Sequence, residues 1–438
     1  MSMQNPLEKL AEAAAVSGQS QARALLGRFF DEGTFVEIDR LAMDGDKPAE
    51  AAAGYGLVGG MPAYAFAQDK TVCSGAIGKA QAAKISKIYE LAAQNGAPIV
   101  GFFDSDGAKL GEGMDAMEAI AQILFSSNSL SGVVPQIAVI TGACVGTSAL
   151  VAATSDLVVM VEGGSYYLSK DGEGGQADVL ARDETEALEK AKALLSYLPS
   201  NNLSAPPVYE NAAAPMGVCA DTADCPAAVA DPGTLLLLSD NSACKTAFGQ
   251  VDGVVCGIVT LSGEAICDRT ASRTARFVRL CDAFSLPVLT FVDAAGFQGV
   301  EGAAKISQAY AEATTAKISI ITGKAYGPVY IAVAGKLAGA DAVLAWPQAV
   351  ISPLSPETAV QILWRDRLAA MQDPTSDREA LAAEYAAEEG SPLKAAAGGY
   401  LTDVVTTEET KNKITALLDM LSGKRVSRLP KKHINVVL

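Results

Sequence analysis

Histidine is almost absent from this sequence of 438 residues, since the single one, His433, lies near the carboxyl end. A Ser-His-Asp triad needs a histidine as its base, and a zinc site draws on histidines and closely spaced cysteines. The eight cysteines include no CxxC pair. The sequence therefore excludes histidine-based catalysis and predicts no metal site. Scattered cysteines of this kind are typical of buried positions in a reducing compartment.

Positive charge is also scarce, with 34 lysines and arginines against 50 acidic residues and a formal net charge of −16. A nucleic-acid partner needs a basic face, so that class of function is excluded. Coenzyme A remains compatible, because a few local cations and backbone N–H groups are enough to meet its phosphates. The largest basic cluster is interpreted as a solvated, charged terminus. It consists of Lys424, Arg425, Arg428, Lys431 and Lys432.

The sequence also shows no pattern that predicts export or membrane insertion. The amino terminus has no basic segment followed by an apolar core, so we predict a cytoplasmic protein. Residues 119–155 carry no charge, as a membrane span would, but Gln122, Pro135 and Gln136 interrupt them. We therefore interpret this segment as buried strand and helix of an α/β domain.

Repeated segments dominate what is present. A chain of this length predicts two domains, and three ordered pairs of similar segments indicate that the domains are related. The pairs are 98–113 with 287–302, 140–146 with 321–327, and 153–169 with 338–355. We infer an internal duplication and expect Asp104 to superpose on Asp293, and Gly142 on Gly323. The boundary is placed near residue 215, which gives domains 1–215 and 216–438.

Local patterns predict the elements of each half. We expect an amphipathic helix over 5–30, two short strands around a Gly-Gly turn within 55–67, a helix over 79–95 and a buried strand over 98–103. Strands and helices then alternate in both halves. That alternation predicts an α/β fold, with helices packed on largely parallel sheets.

Two glycine-rich turns are the candidate sites for chemistry. The turns Gly142–Thr147 and Gly323–Gly327 each follow an apolar strand and open a helix of small residues. Backbone N–H groups at the positive end of a helix dipole bind a phosphate or stabilise a developing oxyanion. The alternative is a tight turn in which the glycines serve only backbone conformation or close packing. The presence of two equivalent turns favours the functional interpretation.

Carboxylates at matching positions of the two halves receive a structural interpretation. Asp104 and Asp293 end matching strands, where a carboxylate more often braces a loop than acts as a base. Asp156 and Asp341 are interpreted in the same way. The sequence thus offers no convincing pair of catalytic carboxylates.

The turns lie within longer ordered segments, among them GRFFDEGTFVEID (27–39), NGAPIVGFFDSDGAKLGEG (95–113), SGVVPQIAVITGACVG (131–146), TARFVRLCDAFSLPVLTFVDAAGF (274–297) and AYAEATTAKISIITGKAYGPVYIA (309–332). Together they resemble the carboxyltransferase (beta) subunit family of biotin-dependent acyl-CoA carboxylases and decarboxylases. The family includes the acetyl- and propionyl-CoA carboxylase beta and methylmalonyl-CoA decarboxylase alpha types. The resemblance extends from about residue 20 to the end.

This resemblance implies two duplicated crotonase-like (ClpP/crotonase) domains, the first binding acyl-CoA and the second binding biotin. It implies a homo-oligomer, a hexamer or a dimer, with active sites where the first domain of one subunit meets the second domain of another. The expected partners are a biotin carboxyl carrier protein, which brings carboxybiotin, and a biotin carboxylase or a decarboxylase membrane subunit. The resemblance also implies that the biotin anion takes the α-proton in place of a side-chain base, and that backbone oxyanion holes stabilise the enolate and the biotin ureido oxygen. It implies no metal.

Site residues carried over from the family fall into three sets. The catalytic set is Gly146, Thr147, Gly327 and Val329. The acyl-CoA set is Gly107, Ala108, Lys109 and Gly142. The biotin set is Ala325, Tyr326, Pro328, Tyr330, Gly296 and Phe297.

Pro328 departs from the family, which usually has Gly-Ala where this chain has Pro328 and Val329. Proline has no N–H, so only Val329 or Gly327 is left to donate in the second hole. Three alternatives follow from the sequence. They are a working carboxyltransferase of a carboxylase or a sodium-pumping decarboxylase, a non-catalytic assembly subunit, and a crotonase-type hydratase or hydrolase.

Overall fold

The computed structural model describes residues 7–8, 10, 20–45, 47–49, 51–210, 214–241, 243–371, 376–427 and 430–435. Much of the helix expected over 5–30 lies outside these residues, as does Arg428 of the basic cluster. The described part of that helix is Gln21–Phe29, and its N-cap Ser20 accepts a hydrogen bond from the Arg23 N–H.

The chain divides into two compact units, Met1–Ala205 and Pro206–Leu438. The boundary predicted near residue 215 lies further along the chain than this division. The division falls at the start of a proline-containing segment, in which the Tyr209 N–H donates to the Gly253 carbonyl of the second unit (2.9 Å).

The first unit is built on an eight-stranded sheet in the order β1-β4-β5-β6-β7-β8-β10, with β9 beside β7. The pairs from β5 to β10 are parallel, whereas β1, β4 and β5 pair antiparallel. The eight strands of this sheet are β1 (Val36–Glu37), β4 (Ala51–Val58), β5 (Met61–Gln68), β6 (Ile99–Ser105), β7 (Gln136–Val145), β8 (Leu157–Val161), β9 (Ser165–Tyr167) and β10 (Val179–Ala181). A separate antiparallel pair is formed by β2 (Met43–Asp44) and β3 (Lys47–Pro48). The helices after Gln21–Phe29 are Lys79–Asn95, Met114–Leu130, Thr147–Ala153 and Glu184–Tyr197, with 3-10 turns at Cys73–Gly75 and Leu110–Glu112.

The second unit repeats this topology in the order β11-β12-β13-β14-β15-β16-β18, with β17 beside β15. Its strands are β11 (Leu236–Asn241), β12 (Cys244–Val251), β13 (Val254–Gly263), β14 (Val288–Ala294), β15 (Lys317–Tyr326), β16 (Ala342–Ala345), β17 (Val350–Ser352) and β18 (Asp403–Val404). Its helices are Cys225–Val229, Asp268–Ala283, Val300–Glu312, Pro356–Leu363, Arg365–Ala369, Ser376–Glu388, Pro392–Ala397 and Thr407–Leu421, with a π-helical turn at Tyr330–Ala334 and 3-10 turns at Thr222–Asp224 and Lys336–Ala338. The predicted duplication and α/β fold are confirmed.

Individual elements follow the predicted patterns closely. The helix expected over 79–95 is Lys79–Asn95, and Gly96 ends it in the left-handed conformation that glycine adopts at little cost. The strand pair expected within 55–67 is longer than predicted, because β4 and β5 extend the hairpin on both sides of its turn. The uncharged segment 119–155 folds into a helix, β7 and a second short helix, and among the described residues no helix is long and apolar enough to span a membrane.

The helix Lys79–Asn95 and the sheet of the first unit pack together in an apolar core. Ile85 and Ile88 of helix Lys79–Asn95 are at most 1% exposed, and they belong to the same cluster as Phe66 and Phe103 from the strands. Fully burying a side chain of this size contributes about 1.5–3 kcal/mol. The apolar spacing along that helix, which the sequence already showed, is therefore what fixes it on the sheet.

The duplication begins earlier than the sequence matches indicated. Asp31 accepts hydrogen bonds from both N–H groups of the turn between β4 and β5 (3.0 and 2.8 Å). Asp231 accepts the same two bonds from the turn between β12 and β13 (3.1 and 2.9 Å) and also pairs with buried Lys411. Both aspartates open an Asp-x-Gly-Thr sequence, at 31–34 and 231–234. We missed this pair because it is short and its spacing differs from that of the later matches.

Candidate active site

Asp104 braces the end of β7, where the segment predicted as a turn from Gly142 is strand as far as Val145 and the turn begins at Gly146. Its carboxylate accepts a hydrogen bond from the Ala143 N–H (2.9 Å), and a Cβ at Gly142 would lie 2.5 Å from the same oxygen. The register of β6 against β7 shifts at this point, between Phe103 and Ser105. Only glycine at position 142 allows the carboxylate of Asp104 to approach this closely. Because that carboxylate is bonded to the backbone, we assign Asp104 a structural role.

The second unit contains the same brace. Asp293 accepts a hydrogen bond from the Lys324 N–H (2.7 Å), and a Cβ at Gly323 would collide with its carboxylate. The register of β14 against β15 shifts between Val292 and Ala294. The expected correspondence of the two aspartates and the two glycines is thus present in the hydrogen bonding.

A second pair of aspartates holds the opposite ends of the same strands. Asp156 accepts a hydrogen bond from the Gln136 N–H (2.8 Å) and donates its own N–H to the Gln136 carbonyl. Asp341 makes the same two bonds with Lys317 (2.8 Å each). The structural interpretation of these carboxylates agrees with this geometry.

The turn at Gly146 borders open space and begins a short helix. Gly146 has φ +60° and ψ −131° and is the N-cap of helix Thr147–Ala153, and a Cβ there would meet nothing within 4 Å. The Gly146 N–H itself donates to the Tyr167 carbonyl of β9 (2.9 Å). The donor that remains at the turn is the N–H of Thr147, the first helical residue, which has no intrahelical acceptor.

Gly107 lies against this donor. It has φ +100°, and a Cβ there would be 3.1 Å from the Val145 carbonyl oxygen and 3.7 Å from both the N and the Oγ1 of Thr147. Among the described residues, Thr147 Oγ1 is buried without a hydrogen-bond partner. A buried hydroxyl that lacks a partner is costly, so the site is better satisfied with a polar group beside Thr147.

Ala108 and Lys109 extend from Gly107 along the same segment. Ala108 bridges to Ile77, and the Lys109 N–H donates to the Ile77 carbonyl (3.0 Å). The Lys109 ammonium forms ion pairs with Asp44 and with Glu112, whose other oxygen accepts the N–H of the first residue of helix Lys79–Asn95. The four residues assigned to acyl-CoA binding therefore lie near the same end of β6 and β7. The Lys109 ammonium among them is already ion-paired.

Cys144 lies at the end of β7 but is not a nucleophile. It is fully buried, and burial raises the pKa of its thiol to about 12, although a contact with Ser148 opposes the shift. The thiol is therefore protonated at neutral pH and serves as an apolar side chain.

The turn at Gly327 has the same backbone pattern with less room. Gly327 has φ +39° and its N–H donates to the Ser352 carbonyl of β17 (3.0 Å), the counterpart of the bond between Gly146 and Tyr167. A Cβ at Gly327 would lie 2.7 Å from the Pro353 carbonyl oxygen. Pro328 then occupies the first helical position, since the Ile331 N–H donates to the Gly327 carbonyl.

Proline suits that position of a helix, because the N–H it lacks would have no intrahelical acceptor. The fold therefore tolerates Pro328 at no cost, while the turn loses one donor. The next N–H belongs to Val329, whose side chain is fully buried. At the second position of the helix it too lacks an intrahelical acceptor.

An apolar cavity of about 510 Å³ opens beside this turn. Its lining includes Gly327, Pro328, Tyr330, Ile351, Lys394 and Tyr400. Burial raises the pKa of the Tyr330 hydroxyl, so it remains a neutral hydrogen-bonding group. The cavity falls within the size range of small-molecule sites, with few polar groups to orient a ligand.

The remaining residues assigned to biotin lie around β15 and the segment after β14. Ala325 is buried and pairs with Ala294, and burial raises the pKa of the Tyr326 hydroxyl to about 12. Gly296 accepts the Ile266 N–H (2.9 Å) as Gly107 accepts the Ile77 N–H. Phe297 bridges to Ile266 as Ala108 bridges to Ile77. Gly296 and Phe297 do not line the cavity, and they occupy the positions equivalent to Gly107 and Ala108, a correspondence that we did not draw from the sequence.

Metal ligands do not cluster in the part of the chain that the structure describes, where no group of three or more histidine, cysteine, aspartate or glutamate side chains is placed to hold an ion.

Comparisons with known proteins agree on one family. The carboxyl transferase domain family matches residues 16–169 and 171–436. The chain is 33% identical to the methylmalonyl-CoA decarboxylase subunit alpha of Propionigenium modestum, over 98% of this chain and 95% of that protein. It is 35% identical to the propionyl-CoA carboxylase beta chain of Saccharopolyspora erythraea, over 96% and 91%. The crystal structure of transcarboxylase 12S, a hexamer with methylmalonyl-CoA and methylmalonic acid bound, matches with a TM-score of 0.90 and 30% identity, over 100% of this chain and 99% of that one.

Proposed function

This chain belongs to the carboxyl transferase domain family of acyl-CoA carboxyltransferases, and from that premise we propose that it moves a carboxyl group between biotin on a carrier protein and the α-carbon of a short acyl-CoA. The predicted family and its crotonase-like fold are confirmed. Relatives named as carboxylases and decarboxylases both support the substrate class, and methylmalonyl-CoA or propionyl-CoA is the substrate we propose.

One observation carries the acyl-CoA half of this proposal. The Thr147 N–H begins a helix beside Gly107, and the unpartnered hydroxyl of Thr147 faces the same place. A thioester oxygen bound there receives the N–H bond and the positive end of the helix. Negative charge grows on that oxygen when the α-proton leaves, so the interaction strengthens in the transition state.

Lys109 and the backbone after Gly107 are proposed to hold the coenzyme A portion. A phosphate accepts charge-assisted hydrogen bonds from an ammonium group as a carboxylate does, and the ion pairs of Lys109 with Asp44 and Glu112 keep its ammonium oriented until the substrate arrives. Both of these pairs are partly exposed, so exchange of partners costs little.

The cavity beside Pro328 fits the ring of biotin. Its walls are apolar at Pro328, Tyr330 and Ile351, which suits the sulfur-containing ring of biotin, and the Val329 N–H lies in the first turn of the helix that Pro328 begins. Biotin, when bound, supplies the carbon dioxide carrier and the base that the protein lacks. The residues of this chain orient the ring, exclude water and donate to the ureido oxygen through Val329. Gly327, whose N–H is committed to Ser352, shapes the turn.

Assembly and partners complete the proposal. We propose a homo-oligomer, a hexamer like the one described for transcarboxylase 12S, that works in the cytoplasm with a biotin carrier protein and with a biotin carboxylase or a membrane decarboxylase subunit. Light scattering at micromolar concentration tests the first part, and a monomer would contradict it.

Incubation of the purified protein with methylmalonyl-CoA and free biotin tests the function. We expect propionyl-CoA to form only when biotin is present, because no described side chain of the turns replaces the missing base. Release of free acid and coenzyme A without biotin would indicate a hydrolase-type enzyme, and formation of propionyl-CoA without biotin would contradict the proposal. An intact oligomer that binds methylmalonyl-CoA but shows no turnover would indicate an assembly subunit.

A further inference from the structure

Two of the eight cysteines lie in direct contact, although they are six positions apart in the chain. The Sγ atoms of Cys219 and Cys225 are 2.8 Å apart. That separation is too long for a disulfide, whose sulfurs are about 2.05 Å apart. It places the two thiols within reach of one another. Cys219 is half-buried, whereas Cys225 is fully buried.

Hydrogen bonds fix the loop that carries this pair. The Asp221 carboxylate accepts the N–H groups of Ala223 and Asp224 (2.7 and 3.2 Å). Thr222 Oγ1 is 2.7 Å from Thr322 Oγ1 of β15, in a buried contact. The backbone that separates the sulfurs is therefore ordered before any bond forms, which removes most of the entropy cost of bringing the thiols together.

We propose that Cys219 and Cys225 form a reversible disulfide, with a hydroperoxide as the oxidant. The Cys219 thiolate attacks a peroxide oxygen, giving a sulfenic acid and releasing water or an alcohol. The Cys225 thiol then displaces the sulfenic hydroxyl as water, which forms the sulfur–sulfur bond. Two thiols lose two electrons and two protons, and one peroxide gains them. A dithiol reductant restores both thiols.

The environment assigns the two roles. A hydrogen bond from Cys225 holds the pKa of the Cys219 thiol below its ordinary value, against the effect of burial. The same contact and burial raise the pKa of the Cys225 thiol. Cys219 is also the more exposed sulfur, so it meets the oxidant first and Cys225 resolves the product.

Cys267 is the matched control within the same unit. It is also half-exposed, and a hydrogen bond with Thr270 lowers the pKa of its thiol. Its Sγ contacts the Thr270 hydroxyl at 3.2 Å instead of a second sulfur. If reactivity depended on exposure and pKa alone, Cys267 would oxidise as readily and would not form a disulfide.

Peptide mapping of the full-length, reduced protein tests the proposal. The protein is treated with limiting hydrogen peroxide, its remaining thiols are alkylated, and the chain is cleaved at aspartate, which separates the two cysteines at Asp221 and Asp224. We expect the Cys219 and Cys225 peptides to be joined and unalkylated, and dithiothreitol to release them. Cys267→Ser should leave this result unchanged, and Cys219→Ser should leave Cys225 fully alkylated.

Full alkylation of Cys219 and Cys225 under conditions that oxidise Cys267 would overturn the proposal. The same holds if Cys219 is converted only to stable sulfinic acid while Cys225 stays alkylated. The wild-type map decides the matter without the variants, so misfolding of Cys219→Ser would not weaken the test.

Discussion

The turn at Gly146 and the turn at Gly327 are copies of one another that offer different donors. Both follow a strand braced by an aspartate, and both commit the N–H of their glycine to a neighbouring strand. The next residue is Thr147 in the first unit and Pro328 in the second. The first turn therefore presents an N–H and a hydroxyl, whereas the second presents no polar group at that position and borders an apolar cavity.

This difference separates what the fold needs from what the chemistry needs. The fold requires Gly142 beside Asp104 and Gly323 beside Asp293, because a Cβ at either glycine would collide with the carboxylate. It places no demand on the first helical N–H, so threonine and proline are equally acceptable there. A duplicated scaffold of this kind allows one copy to change its donors without loss of stability.

The largest effect is expected at Gly146. Gly146→Ala places a Cβ in the open space of the first turn and strains its φ of +60°. We expect the added Cβ and the strain at residue 146 to displace the thioester oxygen from the Thr147 N–H. Losing the interaction with one oxyanion donor costs about 10²–10³ in rate, so biotin-dependent turnover of methylmalonyl-CoA should fall by about that factor. Gly113→Ala is the matched control, since Gly113 is a helix N-cap with φ +55° and ψ −124° and equally open surroundings.

Both variants carry the same backbone strain, so they should lose similar thermal stability. A comparable loss of turnover in Gly113→Ala would show that strain, and not the position of the first turn, accounts for the effect.

The two braces should matter equally for stability. Asp104→Ala and Asp293→Ala each leave a partly buried N–H without its acceptor, which costs about 1–3 kcal/mol in the free energy of unfolding. Urea denaturation measures both, with exposed Asp171→Ala as the control. A loss confined to one of the two braces would break the equivalence of the copies.

Thr147→Val tests the polar character of the first turn. The substitution removes a buried hydroxyl that has no partner in the described part of the protein, so the unliganded protein should gain up to about 1 kcal/mol in stability. If the hydroxyl meets the substrate, kcat/KM should fall by about 5-fold, the equivalent of about 1 kcal/mol. Increased stability with unchanged kcat/KM would show that the hydroxyl does not contact the substrate.

Several of these features could be predicted from the sequence, because they depend on local patterns. The repeated Asp-Gly loops and Gly-rich segments predicted the duplication and the strands. They also predicted the bracing role of Asp104 and Asp293. The commitment of the Gly146 N–H could not be predicted, since it depends on β9 pairing with β7. The contact between Cys219 and Cys225 likewise arises from a loop conformation that no spacing rule encodes.

The most direct test of the account is the effect of Pro328→Ala on biotin-dependent turnover of methylmalonyl-CoA. We propose that the Val329 N–H is sufficient for the second turn. The wild-type protein should therefore be active, and the variant should change kcat/KM by less than about 5-fold. Pro356→Ala, at the same position of another helix, controls for loss of a helix-starting proline. An inactive wild type that gains about 10²-fold or more from Pro328→Ala would contradict the account.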